Sequence, residues 1–229
     1  MKRILQAELL DSLPPDDPRA MCSRRDLRRV NAWMRTHTIM VRELKRNLNG
    51  TQPRHITELG AGDGNLLRQV AKKFTNRWPP PKLTLLDCQP VVALETLNDF
   101  ARIGWRAEAV VADVFDHPLE PCDVLLANLF LHHFETPRLK ALLAIISQRT
   151  GLFIALEPRR AKWPLFCSRL LWAIGCNSVT RHDAVASVRA GFAGRELTSL
   201  WPEKSGWQLT EQSAGPFSHL FVARKCPGS

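Results

Sequence analysis

An apolar strand that runs into three glycines at alternate positions constrains this chain more than any other feature. Residues 55–65 read His-Ile-Thr-Glu-Leu-Gly-Ala-Gly-Asp-Gly-Asn, and a helical pattern follows. Gly60, Gly62 and Gly64 allow backbone with positive φ and close approach of a ligand, while the free N–H groups opening the next helix point at whatever sits there. A nucleotide-type cofactor is the natural occupant. The dinucleotide fingerprint G-x-G-x-x-G needs a third glycine at position 65, where this chain has Asn65, so NAD and FAD are disfavoured.

Later segments fall where a cofactor cleft needs them. Pro81-Lys-Leu-Thr-Leu-Leu-Asp87 is a short apolar run ending in a carboxylate. An acid at the tip of a second parallel strand can accept both ribose hydroxyls of an adenosyl group. Ala107-Glu-Ala-Val-Val-Ala-Asp113 again ends in an acid, and Asp123-Val-Leu-Leu-Ala-Asn128-Leu-Phe-Leu-His132-His133-Phe reads as a buried strand entering a polar turn. The E-x-G-x-G-x-G form, with Glu58 closing the strand, resembles motif I of class I S-adenosylmethionine-dependent methyltransferases. The N-L-x-L-H-H segment is similar to that of small-molecule methyltransferases related to the ubiquinone and menaquinone enzymes. This resemblance covers roughly 54–160. It implies a Rossmann-like α/β fold with a seven-stranded, mostly parallel sheet whose last strand is antiparallel, and S-adenosylmethionine as cofactor. It also implies a binding set of Glu58, Gly60, Ala61, Gly62, Asp87, Cys88, Asp113, Val114 and Asn128, with Asp113 at the adenine edge.

The alternation of strands near 55–59, 82–87, 108–113, 123–129 and 152–157 with helical patterns at about 64–78, 90–102 and 137–148 independently predicts a parallel sheet with right-handed crossovers. Residues 1–50 form a helical cap, 51–157 the core, 158–206 a lid insertion and 207–229 a terminal hairpin, all in one domain of 229 residues. Ser23-Arg-Arg-Asp26 reads as a capping box opening one basic amphipathic helix, and Thr136-Pro137 as a helix entry with threonine capping. Ligands in open parallel sheets bind outside the carboxyl ends of the strands. An insertion leaving the fifth strand is therefore expected to cover the pocket, with Trp163, Phe166, Leu170, Leu171, Trp172 and Phe192 as an apolar wall for the acceptor.

The bulk properties narrow the setting. No run of about eighteen apolar residues appears, so no spanning helix is expected. The N-terminal apolar stretch is short and interrupted by Gln6, Glu8 and Asp11, unlike a signal peptide. Six cysteines, with no C-x-x-C pair, indicate neither a zinc site nor a disulfide scaffold, and a reducing cytoplasm fits best. No metal is expected. The formal charge of +10 is densest in the first fifty residues, but an RNP-type aromatic motif, a zinc knuckle and a long basic tail are all missing, so a nucleic-acid partner is disfavoured.

Methyl transfer from an activated sulfonium needs a base only where the acceptor must lose a proton, and a histidine near neutral pKa serves a phenol or an acid of intermediate pKa. The candidates are His133, slightly favoured, His132 and His182, with His219 behind them. Asn128 stands in place of the N/D-P-P-Y/F signature of amino-group methylation, and Cys122 reads as structural. His182-Asp-Ala-Val-Ala-Ser-Val-Arg-Ala-Gly-Phe192 and Phe217-Ser-His219 resemble bacterial methyltransferases that accompany polyketide or quinone-type biosynthesis. That resemblance implies O- or C-methylation of a hydrophobic small-molecule acceptor of phenolic, polyketide or quinol type. An RNA or protein methyltransferase and a non-catalytic S-adenosylmethionine-binding module stay open beside it.

Overall fold

Seven strands form one sheet in the order β3-β2-β1-β4-β5-β7-β6, in a computed structural model that describes residues 1–75, 77–202 and 204–226. The strands are β1 (His55–Leu59), β2 (Lys82–Asp87), β3 (Arg106–Val111), β4 (Cys122–Asn128), β5 (Thr150–Pro158), β6 (Trp207–Ala214) and β7 (Ser218–Lys225). The first five are parallel to one another, while β7 runs antiparallel to both β5 and β6. The chain winds outward from β1 to β3 and then crosses back to lay β4 on the other side of β1. That reversal leaves a crevice between β1 and β4 at their carboxyl ends, the place where open α/β sheets hold ligands.

The central strands read as continuous apolar runs because both of their faces are covered. Side chains alternate across the sheet: Val124, Leu126, Ile154 and Val222 join one core layer, and Leu125, Ala127, Phe153 and Phe221 the other. The first layer is completed by α3 (Thr36–Leu48) and α4 (Asn65–Phe74), through Met40, Leu44, Leu67 and Val70, and by Phe100 of α5 (Leu94–Arg102). The second is completed by α6 (Thr136–Arg149), through Leu139, Leu142, Leu143 and Ile146, and by Leu197 of α9 (Glu196–Leu200). The remaining helices are α1 (Leu9–Ser12), α2 (Pro18–Trp33), α7 (Lys162–Arg169) and α8 (Ser178–Ala190). No helix among the described residues is long and apolar enough to cross a membrane.

Local details differ from the sequence reading. The single basic helix is two, because the chain turns at Arg35 with φ of 58°. Asp17, and not Ser23, caps α2: its Oδ1 accepts from the Arg19 N–H at 2.7 Å, with Pro18 in the first turn. Ser23 and Asp26 lie buried within that helix and serve tertiary contacts, Ser23 with the Thr180 hydroxyl at 2.9 Å and Asp26 with the Asn177 N–H at 2.8 Å. At α6 the cap position is Glu135, without a side-chain capping bond, and Thr136 already belongs to the helix. β3 sits two residues earlier than expected, and α4 ends at Phe74, well short of 78. Residue 76 of that expected helix, residue 203 of the expected lid and residues 227–229 of the expected hairpin segment lie outside the described residues.

Candidate active site

The glycine turn after β1 adopts the backbone its sequence demands. Gly60, Gly62 and Gly64 have φ of 63°, 54° and 74°, a region that side chains with a Cβ rarely enter. A Cβ at Gly60 would fall 2.4 Å from Cδ2 of Phe130, so the ring packs on bare backbone there. At Gly62 a Cβ would meet nothing within 4 Å, so the turn leaves open space at that position. Asp87 at the tip of β2 fastens the loop: its Oδ2 accepts from the Gly62 N–H at 2.8 Å and its Oδ1 from the Gln89 N–H at 2.9 Å. A carboxylate offers about four lone-pair sites, so two remain for a ligand.

Around this turn lies a cavity of about 690 Å³. All nine expected binding residues, Glu58, Gly60, Ala61, Gly62, Asp87, Cys88, Asp113, Val114 and Asn128, line it. Glu58 is buried, and its Oε2 has no partner; burial first, then the negative charges of Asp63 and Asp87, push its carboxyl well above the usual range. Asn128 likewise has an unpartnered Oδ1. Asp113 Oδ1 accepts from the Phe115 N–H at 2.9 Å, which orients it at the outer rim. Buried acceptors without partners, beside a bare glycine loop and a ribose-compatible acid, fit the polar groups of an adenosyl amino acid.

The opposite wall is organised by Glu157 at the end of β5. Leu129 follows β4 with φ of 54°, unusual for leucine, and its N–H donates to the Leu156 carbonyl at 2.9 Å. This kink presents the N–H groups of Phe130 (3.0 Å), Leu131 (2.9 Å) and His132 (3.3 Å) to the Glu157 carboxylate, and His132 Nδ1 donates to it as well at 2.8 Å. The other ring nitrogen of His132 lies 3.2 Å from Glu8, whose carboxylate also accepts from the Ser187 hydroxyl. Burial would lower the pKa of His132, but hydrogen bonds to Glu157 and Glu8, and their charges, outweigh it and raise it to about 9. Burial also opposes the charge on Glu8, yet His132, His133 and Ser187 hold its carboxyl below the usual range.

His132 is therefore a buried cation between two carboxylates, with neither nitrogen free to act as a base at neutral pH. His133 differs. It is partly exposed, lines the cavity, and its Nδ1 lies 3.2 Å from Asp11 of α1. His182 pairs with Asp183 at 2.9 Å and does not line the cavity. His219 is buried against Glu211 at 2.8 Å, also away from the cavity.

The roof comes from the N-terminal cap. Arg3 donates to the carbonyls of Ala190 (2.7 Å), Phe134 (2.9 Å) and His132 (3.2 Å), and the Leu9 and Leu10 N–H groups donate to Asp183. Arg24 of α2 bridges Pro15 and Gln89, and Arg28 pairs with Asp63 of the glycine turn at 2.5 Å. The acceptor wall expected from the 158–206 insertion is not formed: Trp163, Phe166, Leu170 and Trp172 are exposed and, like Leu171 and Phe192, do not line the cavity. Phe192 is instead core, and from this segment Ser187 alone of the described residues reaches the cavity lining. Glu157, Glu8, Asp11 and Asp63 were missed as site residues. Asp63 sits inside the glycine motif and was open to discovery there; Glu8 and Asp11 registered only as interruptions of an apolar stretch.

Residues 56–150 match the family model described as "Methyltransferase domain". Over this stretch, 95 of the 229 residues, the chain is similar to methyltransferase domains. Solved structures share the fold across almost the whole chain. The plantazolicin methyltransferase BpumL, in complex with SAH, superposes with a TM-score of 0.66 at 13% identity over 92% of this chain and 91% of its own. An O-methyltransferase family protein from Burkholderia thailandensis gives 0.61 at 18% identity over 93% and 62%, and the pyocyanin biosynthetic protein PhzM 0.60 at 17% over 92% and 60%. No curated protein matches this chain by sequence.

Proposed function

We propose that this methyltransferase acts on a hydrophobic small-molecule acceptor of phenolic, polyketide or quinol type, at oxygen or carbon. One observation carries the reading: residues of the N-terminal cap line the cleft, and a single half-open cavity of about 690 Å³ holds both the glycine turn and His133. Small-molecule sites commonly span about 300–1,000 Å³, and a cavity of that size, already lined by the cofactor residues, leaves room for a compact acceptor. Leu10, Leu27, Leu129, Phe130 and Phe134 give it apolar lining. The structural neighbours BpumL and PhzM, named for plantazolicin and pyocyanin, support an acceptor of natural-product type.

In this reading Asp87 takes the ribose hydroxyls, Asp113 and Val114 flank the adenine, and Glu58 with Asn128 receives the amino-acid end, with Gly60, Ala61, Gly62 and Cys88 lining the path between them. Bound S-adenosylmethionine supplies an already activated methyl group. The chain's own task is then to orient the acceptor, exclude water with the cap, and take up a proton where the acceptor carries one. His133 is the assigned base: Asp11 holds Nδ1, which leaves Nε2 for the acceptor. His132 is assigned a positioning role through Glu8 and Glu157. Burial and the charges of Asp63 and Asp87 raise the Glu58 pKa, and an ammonium group beside it would favour the charged carboxylate, so cofactor affinity should fall as pH drops.

Turnover of a panel of phenols, quinols and bulk RNA with labelled donor tests the function directly. Methylation of small phenols or quinols supports it. Turnover of RNA alone, falling steeply with salt, would assign the chain to the nucleic-acid class.

A further inference from the structure

The stretch from Arg159 to Arg181 contains Arg159, Arg160, Lys162, Arg169 and Arg181 and no aspartate or glutamate. Within it, α7 and the short 3₁₀ turn Leu171–Ile174 expose five large apolar side chains: Trp163 (58%), Phe166 (53%), Leu170 (41%), Trp172 (60%) and Ile174 (52%). Residues 163, 166 and 170 follow helical spacing and form one face, on which the Trp163 and Phe166 rings stack at 5.9 Å. The face that α7 buries is made of Pro164 and Ser168. The usual amphipathic arrangement is thus inverted, with the aromatic side turned to solvent. Arg29 of α2, which also pairs with Asp26 at 3.3 Å, donates to the Ile174 carbonyl at 3.1 Å.

We propose that this face is an interfacial anchor that lays the protein on an anionic lipid surface. Tryptophan, phenylalanine and leucine interleaved with lysine and arginine are what a surface-lying helix needs: the rings enter the headgroup boundary while the cations meet lipid phosphates. Lys162, Arg169 and Arg181 have no carboxylate within ion-pair distance among the described residues, so their charge is available for a lipid. A second copy of the chain is a poorer occupant, because a self-complementary interface would set these cations against their own equivalents. The proposal does not depend on the acceptor chemistry, since none of the five side chains lines the cleft.

The test is co-sedimentation of the full chain with vesicles of phosphatidylcholine alone and of phosphatidylcholine mixed with phosphatidylglycerol, read also by tryptophan fluorescence. The expected result is binding to the anionic vesicles, weakened by salt, with a blue shift of emission. Combined Trp163→Ala, Phe166→Ala and Trp172→Ala substitution should weaken partitioning by about tenfold or more, and Lys162→Glu with Arg169→Glu should lower it by about fivefold or more per charge. These residues are exposed, so circular dichroism should find every variant folded. Absence of binding to anionic vesicles at low salt overturns the proposal, as does undiminished binding by the folded triple variant. Concentration-dependent dimerisation abolished by the triple variant, without vesicle binding, would assign the face to a second copy instead.

Discussion

The N-terminal cap and the 159–175 segment are both helical additions to the same sheet, and they use their side chains in opposite ways. The cap is strongly charged, yet it turns Glu8, Asp11, Arg24 and Arg28 toward the cleft and its lining. The later segment is the more apolar, yet it turns its largest rings to solvent. Apolar density in a sequence is therefore no guide to which segment closes a pocket. What decides is where the chain enters. The cap reaches the turns that follow β4, β1 and β2, through Arg3, Arg28 and Arg24, while α7 leaves β5 and packs against α8.

The contrast can be broken at its buried end first. His132→Ala leaves the Glu157 and Glu8 carboxylates facing one another without their shared cation, and should destabilise the protein by roughly 3–5 kcal/mol in chemical denaturation. The same residue sets a pH window. Its pKa of about 9 in the folded state lies above the ordinary 6.5, so its contribution of about 3 kcal/mol is fully present below about pH 6.5 and lost as pH rises through 9. In His132→Ala that alkaline loss should vanish; a wild-type profile flat from pH 6 to 10 would refute the buried cation.

Next comes the chemistry. His133→Ala should lower turnover of a phenolic acceptor by about a hundredfold or more with cofactor affinity near wild type, whereas Trp163→Ala should leave turnover of a soluble acceptor within about twofold. Equal losses in both variants would erase the distinction between cap and insertion. Asp87→Ala should weaken cofactor binding by roughly 1.5–3 kcal/mol, measured by calorimetry, the scale of a lost charge-assisted contact. The smallest effect belongs to the outer face. Phe166→Ala and Trp172→Ala should each change stability by no more than about 0.5 kcal/mol, and a loss of several kcal/mol would mean that these rings are packed after all.

The sheet was legible because its signals are local. Each parallel strand is an apolar run ended by a turn residue, and the glycine turn, Asp87 and Asp113 lie within one or two residues of a strand tip. Asn128 ends β4 in the same way, and His133 follows it by five residues. The wall of the site was not. Glu157 meets His132 across 25 positions and Glu8 meets it across 124, and nothing in the residues flanking either acid announces those partners. Ser23 and Asp26 misled in the opposite direction: their local spacing fits a capping box, but tertiary contacts with Thr180 and Asn177 claimed both side chains. The aromatic run failed as a pocket signal because periodicity gives the face of a helix and says nothing of what lies opposite it.

Synthesis order and spatial order part company at the far side of the sheet. β7 fits between β5 and β6, although a ribosome emits it after both. Until Ser218–Lys225 emerges, the outer edge of β5, one of the most completely buried strands, has no neighbour, and β6 has nothing to pair with on that side. The nascent chain must keep an unpaired, apolar strand edge out of trouble while everything from Arg159 to Phe217 is being made. A chain stalled or clipped before Ser218 would present that edge to other molecules, and so would be expected to aggregate sooner than one truncated within the cap.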